Sequence, residues 1–285
     1  MAAVLWKIAG ETYDFSNRAM IMGVLNITPD SFSDAGQFFN ADAAVEQGTR
    51  MIAEGADIID IGGESTRPGA DEVPETDERT RVIPVIETLA PAAGEKLISI
   101  DTMKAGVARA AIRTGAKIIN DVTGGRGDPE MMPLAAESGA GFIIMHMQGT
   151  PRTMQANPHY DDVVAEVREF FRQQYARALK CGIDPMTIAF DPGIGFGKTL
   201  QHNLELLRNL SQLRIENRPL VVGVSRKSFL GKVIGSPEMA DRIAPTIAMT
   251  ALMRERGADV IRVHDVKANV AAVRATEALL QTTTR

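Results

Sequence analysis

The chain has 285 residues, 45% of them hydrophobic and 24% charged, with a formal net charge of −5. This composition excludes collagen, coiled coil and disorder, and the negative balance argues against a general nucleic-acid binder, which must neutralise phosphates. A single cysteine, Cys181, excludes an internal disulfide and any multi-cysteine metal centre.

Residues 6–16 form two short alternating runs about a Gly10-Glu11 turn, the pattern of a β-hairpin suited to covering the bottom of a barrel. Eight short runs rich in Ile and Val follow, at 19–25, 58–61, 97–100, 117–120, 141–145, 187–190, 220–224 and 260–263. Continuous apolar runs of that length fit strands buried on both faces, as in a parallel sheet. Helical patterns alternate with them at 41–54, 77–89, 104–114, 129–138, 161–180, 200–213, 241–256 and 269–280. Gly-Ala pairs at 55–56, 115–116, 139–140 and 257–258, with Cys181-Gly182 as a variant, mark helix stops before five of the strands. Eight strand–helix units predict an α/β fold, a (β/α)₈ TIM barrel with an N-terminal β-hairpin, as a single domain over residues 1–285. A doubly wound open sheet is the alternative. The apolar runs are too short to span a bilayer, so no membrane span is expected. Met1-Ala2-Ala3-Val4-Leu5-Trp6-Lys7 lacks signal-peptide features, so a cytoplasmic location is expected.

In such barrels chemistry sits on the loops after the strands. The predicted strands end in Asn26, Gly62-Gly63-Glu64-Ser65-Thr66-Arg67-Pro68, Asp101-Thr102, Asn120-Asp121, His146, Asp191-Pro192-Gly193, Ser225-Arg226-Lys227-Ser228 and Arg262-Val263-His264-Asp265. One mouth would thus collect Asp101, Asn120 and Asp191, the cations Arg67, Arg226, Lys227 and Arg262, and a histidine. Arg262 and His264 lie two apart on a strand and face the same side, and an arginine fork suits a phosphate. With Asn26 and Mg²⁺ they would suit a diphosphate. The bland alternative pairs Arg262 with Asp259 or Asp265. Asp101, Asn120 and Asp191 would read a flat nitrogen heterocycle such as an aminopyrimidinone, or else simply plug the barrel mouth.

Three motif matches fail. Gly197-Lys198-Thr199 resembles the end of a P-loop, but Pro192 replaces the required first glycine, and the surrounding glycines are not a dinucleotide fingerprint. The four histidines lack metal-ligand spacing. Gly223-Val224-Ser225-Arg226 is not a nucleophile elbow.

The segments 23–34, 60–69, 100–102, 119–124, 190–198, 225–229 and 262–266, in order, resemble the dihydropteroate synthase family of the bacterial folate pathway. Ala35 stands where the family commonly has glycine. The resemblance implies a transferase that joins 6-hydroxymethyl-7,8-dihydropterin diphosphate to 4-aminobenzoate, giving 7,8-dihydropteroate and diphosphate. It implies that Asp101, Asn120, Asp191 and Lys227 hold the pterin. Asn26, Arg67, Arg262 and His264 would hold the diphosphate, with Mg²⁺ on Asn26. Phe32, Thr66, Arg67, Pro68, Phe196, Lys227 and Ser228 would shape the aminobenzoate pocket, where sulfonamides would compete. Asp101, Arg262 and His264 would carry the catalytic roles. No activated nucleophile is visible, so an SN1-like substitution is expected. The resemblance also implies a homodimer, formed through late helices such as 241–256. The other readings are a pterin-binding barrel serving a corrinoid methyltransferase, a non-catalytic pterin-binding paralogue, and a sugar-phosphate enzyme.

Overall fold

The computed structural model describes residues 3–27, 41–66 and 69–281. It opens with a hairpin of β1 (Leu5–Ile8) and β2 (Glu11–Asp14). Its turn is Ala9-Gly10, one residue earlier than the sequence pattern places it, and both residues have positive φ, 47° and 93°. Two consecutive positive φ values are what a tight hairpin turn needs to match strand twist.

Eight parallel strands follow: β3 (Met20–Asn26), β4 (Ile58–Gly62), β5 (Leu97–Asp101), β6 (Ile118–Asp121), β7 (Gly141–Met145), β8 (Ile188–Asp191), β9 (Val221–Gly223) and β10 (Val260–Val263). They pair in the order β8-β7-β6-β5-β4-β3-β10-β9, and a parallel bridge between Phe190 and Leu220 joins the two ends. The sheet is therefore a closed barrel rather than an open doubly wound sheet. The helices are α1 (Ala41–Ala53), α2 (Glu75–Ala92), α3 (Ala105–Thr114), α4 (Met131–Ser138), α5 (Val163–Lys180), α6 (Leu200–Arg208), α7 (Ser228–Ile234), α8 (Ile243–Glu255) and α9 (Val266–Gln281). The predicted stops work as expected. Gly139, for example, has φ 62° and returns its N–H to the carbonyl of Ala135. The short helix α7 is an addition to the eight predicted helices, and the run 200–213 divides into α6 and a 3₁₀ turn, Leu210–Leu213.

Alternation along the strands sorts the side chains. Ile59, Ile61, Ile98, Ile100, Ile119, Phe142, Ile144, Phe190, Ile261 and Val263 point outward and bury against the helices. Met22, Ile58, Leu97, Ile118, Ile143, Ala189, Val221 and Val260 point inward and fill the lower barrel. Trp6, Ile8 and Phe15 of the hairpin segment close that layer from below, and the Trp6 indole donates to the Thr187 carbonyl at 2.7 Å. Deleting a fully buried tryptophan of this kind costs about 3–5 kcal/mol, so the hairpin is a structural floor.

Charges at the two rims differ in kind. At the lower rim, Asp57 accepts from Arg18 and from the Ile21 amide, and Glu277 pairs with Arg254 and Arg274. At the upper rim, carboxylates face into the barrel.

Candidate active site

The strand alternation that sends Ile59 and Ile61 outward sends Asp60 inward, fully buried. The same rule turns Asp101, Asn120, Asp191 and Arg262 into the barrel above its apolar layer. Neighbouring registers place Asn26 beside Gly62, Gly62 beside Asp101, and Asp101 beside Asn120, so these residues share one level of the rim. Barrel closure thus converges groups that lie up to 202 positions apart in the chain.

Arg262 is the hub. Its Nε donates to Asp60 Oδ2 at 2.6 Å and its Nη2 to Asp101 Oδ2 at 2.7 Å. Asn120 Nδ2 also donates to Asp60 Oδ2, at 3.0 Å. Both bland partners proposed for Arg262 are engaged elsewhere: Arg214 holds Asp259 at 2.7 Å and Arg226 holds Asp265 at 2.9 Å. Among the described residues, neither Asp60 Oδ1 nor Asp101 Oδ1 meets a hydrogen-bond donor. Buried carboxylate oxygens without donors are expensive. They are acceptors suited to the N–H edge of a ligand.

Burial raises the Asp101 carboxyl to about 7; Arg262 opposes this, and Asp60 reinforces it. Burial works against the Arg262 charge as well, but Asp60 and Asp101 outweigh it and hold the guanidinium above its ordinary value. Asp191 is likewise raised by burial, with Lys227 opposing. Its Oδ1 accepts the Gly193 N–H at 2.7 Å. Lys227 is lowered to about 8 by burial, with Asp191 opposing. The Lys227 ammonium donates to the Ile194 carbonyl and lies 4.8 Å from the centre of the Phe196 ring. One wall of the site is therefore the glycine-rich loop after β8.

His264 sits at the end of β10 with its backbone N–H on Ser225 Oγ at 3.1 Å and its Nδ1 3.0 Å from the same oxygen. Asn26 and Thr66 are half-buried at the rim, and Ser228 is exposed at the start of α7. Phe32, Arg67 and Pro68 lie outside the described residues, as does most of the expected first loop.

Two strand-end residues do not enter the site. Arg226, at φ 55°, turns away onto Asp265. His146 shares the outward parity of Ile144, and its ring packs edge-on against Phe170 of α5 at 4.8 Å. Burial and the adjoining Lys198 push its pKa well below the ordinary imidazole value. Conversely, Asp60 escapes a reading that looks only at strand ends, because it sits inside the apolar run 58–61. Its signal is a carboxylate at an inward-facing position of a strand otherwise buried on both faces.

A family model described as a pterin-binding enzyme matches residues 22–264. The dihydropteroate synthase of Escherichia coli K12 is 46% identical over 271 residues, 95% of each chain. A mitochondrial folate synthesis bifunctional protein of Arabidopsis thaliana is 44% identical over 96% of this chain, which spans only 52% of that longer protein. The solved structure of Xanthomonas albilineans dihydropteroate synthase with 4-aminobenzoic acid superposes with a TM-score of 0.90 at 42% identity, covering 98% of this chain and 99% of the other. The barrel, its inward ring of carboxylates and these matches along nearly the whole chain agree: the chain belongs to the pterin-binding enzyme family.

Proposed function

We propose that the chain is a dihydropteroate synthase, a transferase that joins 6-hydroxymethyl-7,8-dihydropterin diphosphate to 4-aminobenzoate and releases 7,8-dihydropteroate and diphosphate. The observation that carries this reading is the inward ring of Asp60, Asp101, Asn120 and Asp191, with two carboxylate oxygens lacking donors, beside Lys227 and Arg262. A planar aminopyrimidinone presents adjacent N–H donors and a carbonyl acceptor. Asp191 would take the N–H edge, Asn120 would read donor and acceptor together, and Lys227 would donate to a ring acceptor.

The reaction breaks the bond between the pterin CH₂ and a diphosphate oxygen, and the electron pair leaves with diphosphate. The CH₂ carbon becomes cationic, and the dihydropterin ring shares that charge. Asp101 stands in the ring as a carboxylate able to stabilise it. The nitrogen of 4-aminobenzoate then bonds to the carbon and sheds one proton. Arg262 and His264, on one face of β10, would meet the leaving diphosphate, with Arg67 supplying a further cation. Phe196, Lys227 and Ser228, with Thr66, Pro68 and Phe32 from the first two loops, would frame the aminobenzoate, and sulfonamides that mimic it would compete there.

No cluster of three or more His, Cys, Asp or Glu able to hold a metal occurs among the described residues. Mg²⁺ keeps waters and substrate phosphates and needs only one or two protein oxygens, and the amide oxygen of Asn26, half-buried at the rim, would suit it. When bound, the ion would neutralise charge on the departing diphosphate.

A homodimer is part of the proposal. Val233, Ile234, Met239 and Leu252 expose apolar side chains around α7 and α8, which supports pairing of two copies through this face. No described helix is long and apolar enough to cross a membrane. A cytoplasmic location would suit the exposed free thiol of Cys181, since thiols stay reduced there.

The test is turnover with pterin diphosphate, 4-aminobenzoate and Mg²⁺, reading both products. Dihydropteroate that depends on all three additions supports the reading. Diphosphate without dihydropteroate would remove the aminobenzoate site, and pterin binding without either product would favour a non-catalytic binding barrel. Release of diphosphate that strictly requires 4-aminobenzoate would contradict the SN1-like path.

A further inference from the structure

Lys198 is a buried basic side chain that the proposed reaction does not use. It closes the sequence Gly193-Ile194-Gly195-Phe196-Gly197-Lys198, whose ending resembles a phosphate loop. In the fold its side chain turns inward, 3% exposed, instead of toward a ligand. Its Nζ lies 2.9 Å from His146 Nδ1, 2.9 Å from the Phe196 carbonyl and 3.4 Å from the His146 carbonyl. None of the three partners is a carboxylate, and burial pushes the Lys198 pKa well below the ordinary lysine value.

The loop that Lys198 ties down has little room of its own. A Cβ on Gly193 would collide with the His146 carbonyl oxygen, and one on Gly197 would lie 2.8 Å from the Gln148 carbonyl oxygen. The loop is therefore pressed against the segment after β7. Tyr160 OH holds the Gly197 carbonyl at 2.8 Å and Gln155 holds the Gly195 carbonyl at 2.7 Å. Neither reaches Ile194 or Phe196, the two residues that meet Lys227. Lys198 alone among these anchors holds the Phe196 carbonyl.

We propose that Lys198, bonded to His146, is a positioning residue that sets the Phe196 ring and, through the loop, the Ile194 carbonyl against Lys227, and so shapes the 4-aminobenzoate side of the site. The inference rests on the proposed synthase reaction. Asp101, Asn120 and Asp191 stand on strands, whereas Phe196 belongs to the loop and faces only the aminobenzoate side; Lys227 serves both substrates, so loss of Lys198 should fall more heavily on 4-aminobenzoate than on the pterin.

The test uses the full chain, with each substrate varied in turn and 6-hydroxymethylpterin binding followed by calorimetry. Lys198→Met keeps the length of the stem and removes the nitrogen with all its contacts. It should raise the KM for 4-aminobenzoate about tenfold or more while pterin affinity moves less than about threefold. His146→Leu cuts the other end of the contact. It should raise the same KM by a similar factor, and the double variant should be no worse than either single one. Amide exchange at Gly195 and Phe196 should quicken in both variants, a readout that needs no turnover. Equal losses for both substrates, additive effects in the double variant, or unchanged exchange would overturn the inference. Should Lys198→Met not fold, His146→Leu carries the same comparison. A wild-type chain lacking aminobenzoate-dependent turnover would remove the synthase reading instead, and the exchange measurement would still decide the role of Lys198 in the loop.

Discussion

Asp60→Asn perturbs the centre of the carboxylate ring with little change of shape. Asp60 Oδ2 receives Arg262 at 2.6 Å and Asn120 at 3.0 Å, and the side chain is fully buried. A hydrogen bond to a charged group contributes about 1.5–3 kcal/mol, and the asparagine oxygen retains part of it. Arg262 keeps its second carboxylate, Asp101, at 2.7 Å, so the larger penalty of a stranded buried cation does not arise. The net loss should be about 2 kcal/mol, which for a domain of this size lowers Tm by about 4 °C. The pH dependence should change as well. Asp101 titrates near 7 in the folded chain against an ordinary value of 3.8. Between those values the native state binds more protons than the unfolded one, so the Asp101 contribution to stability falls as pH rises from about 4 to about 7. Removing the neighbouring Asp60 charge lowers the folded value and flattens that fall. Urea midpoints measured at several pH values between 4 and 8 read both effects. An unchanged midpoint at neutral pH would show that Asp60 does not stabilise Arg262, and a slope as steep as that of the wild type would show that it does not raise Asp101.

Other substitutions separate the roles of the ring. Asp191→Asn should weaken pterin binding by about 1.5–3 kcal/mol, because one carboxylate acceptor is lost, while the bond from the Gly193 N–H persists; calorimetry with 6-hydroxymethylpterin measures it. Arg262→Met leaves Asp60 and Asp101 buried without their cation, so it should destabilise by about 3–5 kcal/mol and weaken free pterin as well as pterin diphosphate; equal Tm values for variant and wild type would contradict this. Gly193→Ala puts a Cβ into the His146 carbonyl at a φ of 63°, and should cost at least about 1–3 kcal/mol by thermal unfolding.

Much of the barrel was legible because its signals are local. An apolar run of strand length, a Gly-Ala stop and a helical pattern repeat along the chain, and each stop acts within a few residues. The β5 run predicted at 97–100 and the strand found at Leu97–Asp101 differ by one residue. Helix α7 was not legible, since Ser228–Ile234 spans barely two turns and shows no period long enough to read. At the site, local signals found the strand ends, and closure of the barrel decided their partners. Asp60 and Arg262 meet only because β4 and β10 flank β3 on either side. Which cation takes which carboxylate is a long-range property, so Arg226 could not be told from Arg262 by spacing alone. His146 needed strand parity, which one residue of register reverses.

Recognition of a pterin by the inward ring would be visible in a crystal structure of the chain with 6-hydroxymethylpterin bound. The heterocycle is expected inside the barrel mouth, its N–H edge on Asp191 and on the Asp101 side of the ring, with Asn120 and Lys227 within hydrogen-bond distance. A pterin seated elsewhere on the chain, with Asp101 and Asp191 making no contact to it, would rule that recognition out.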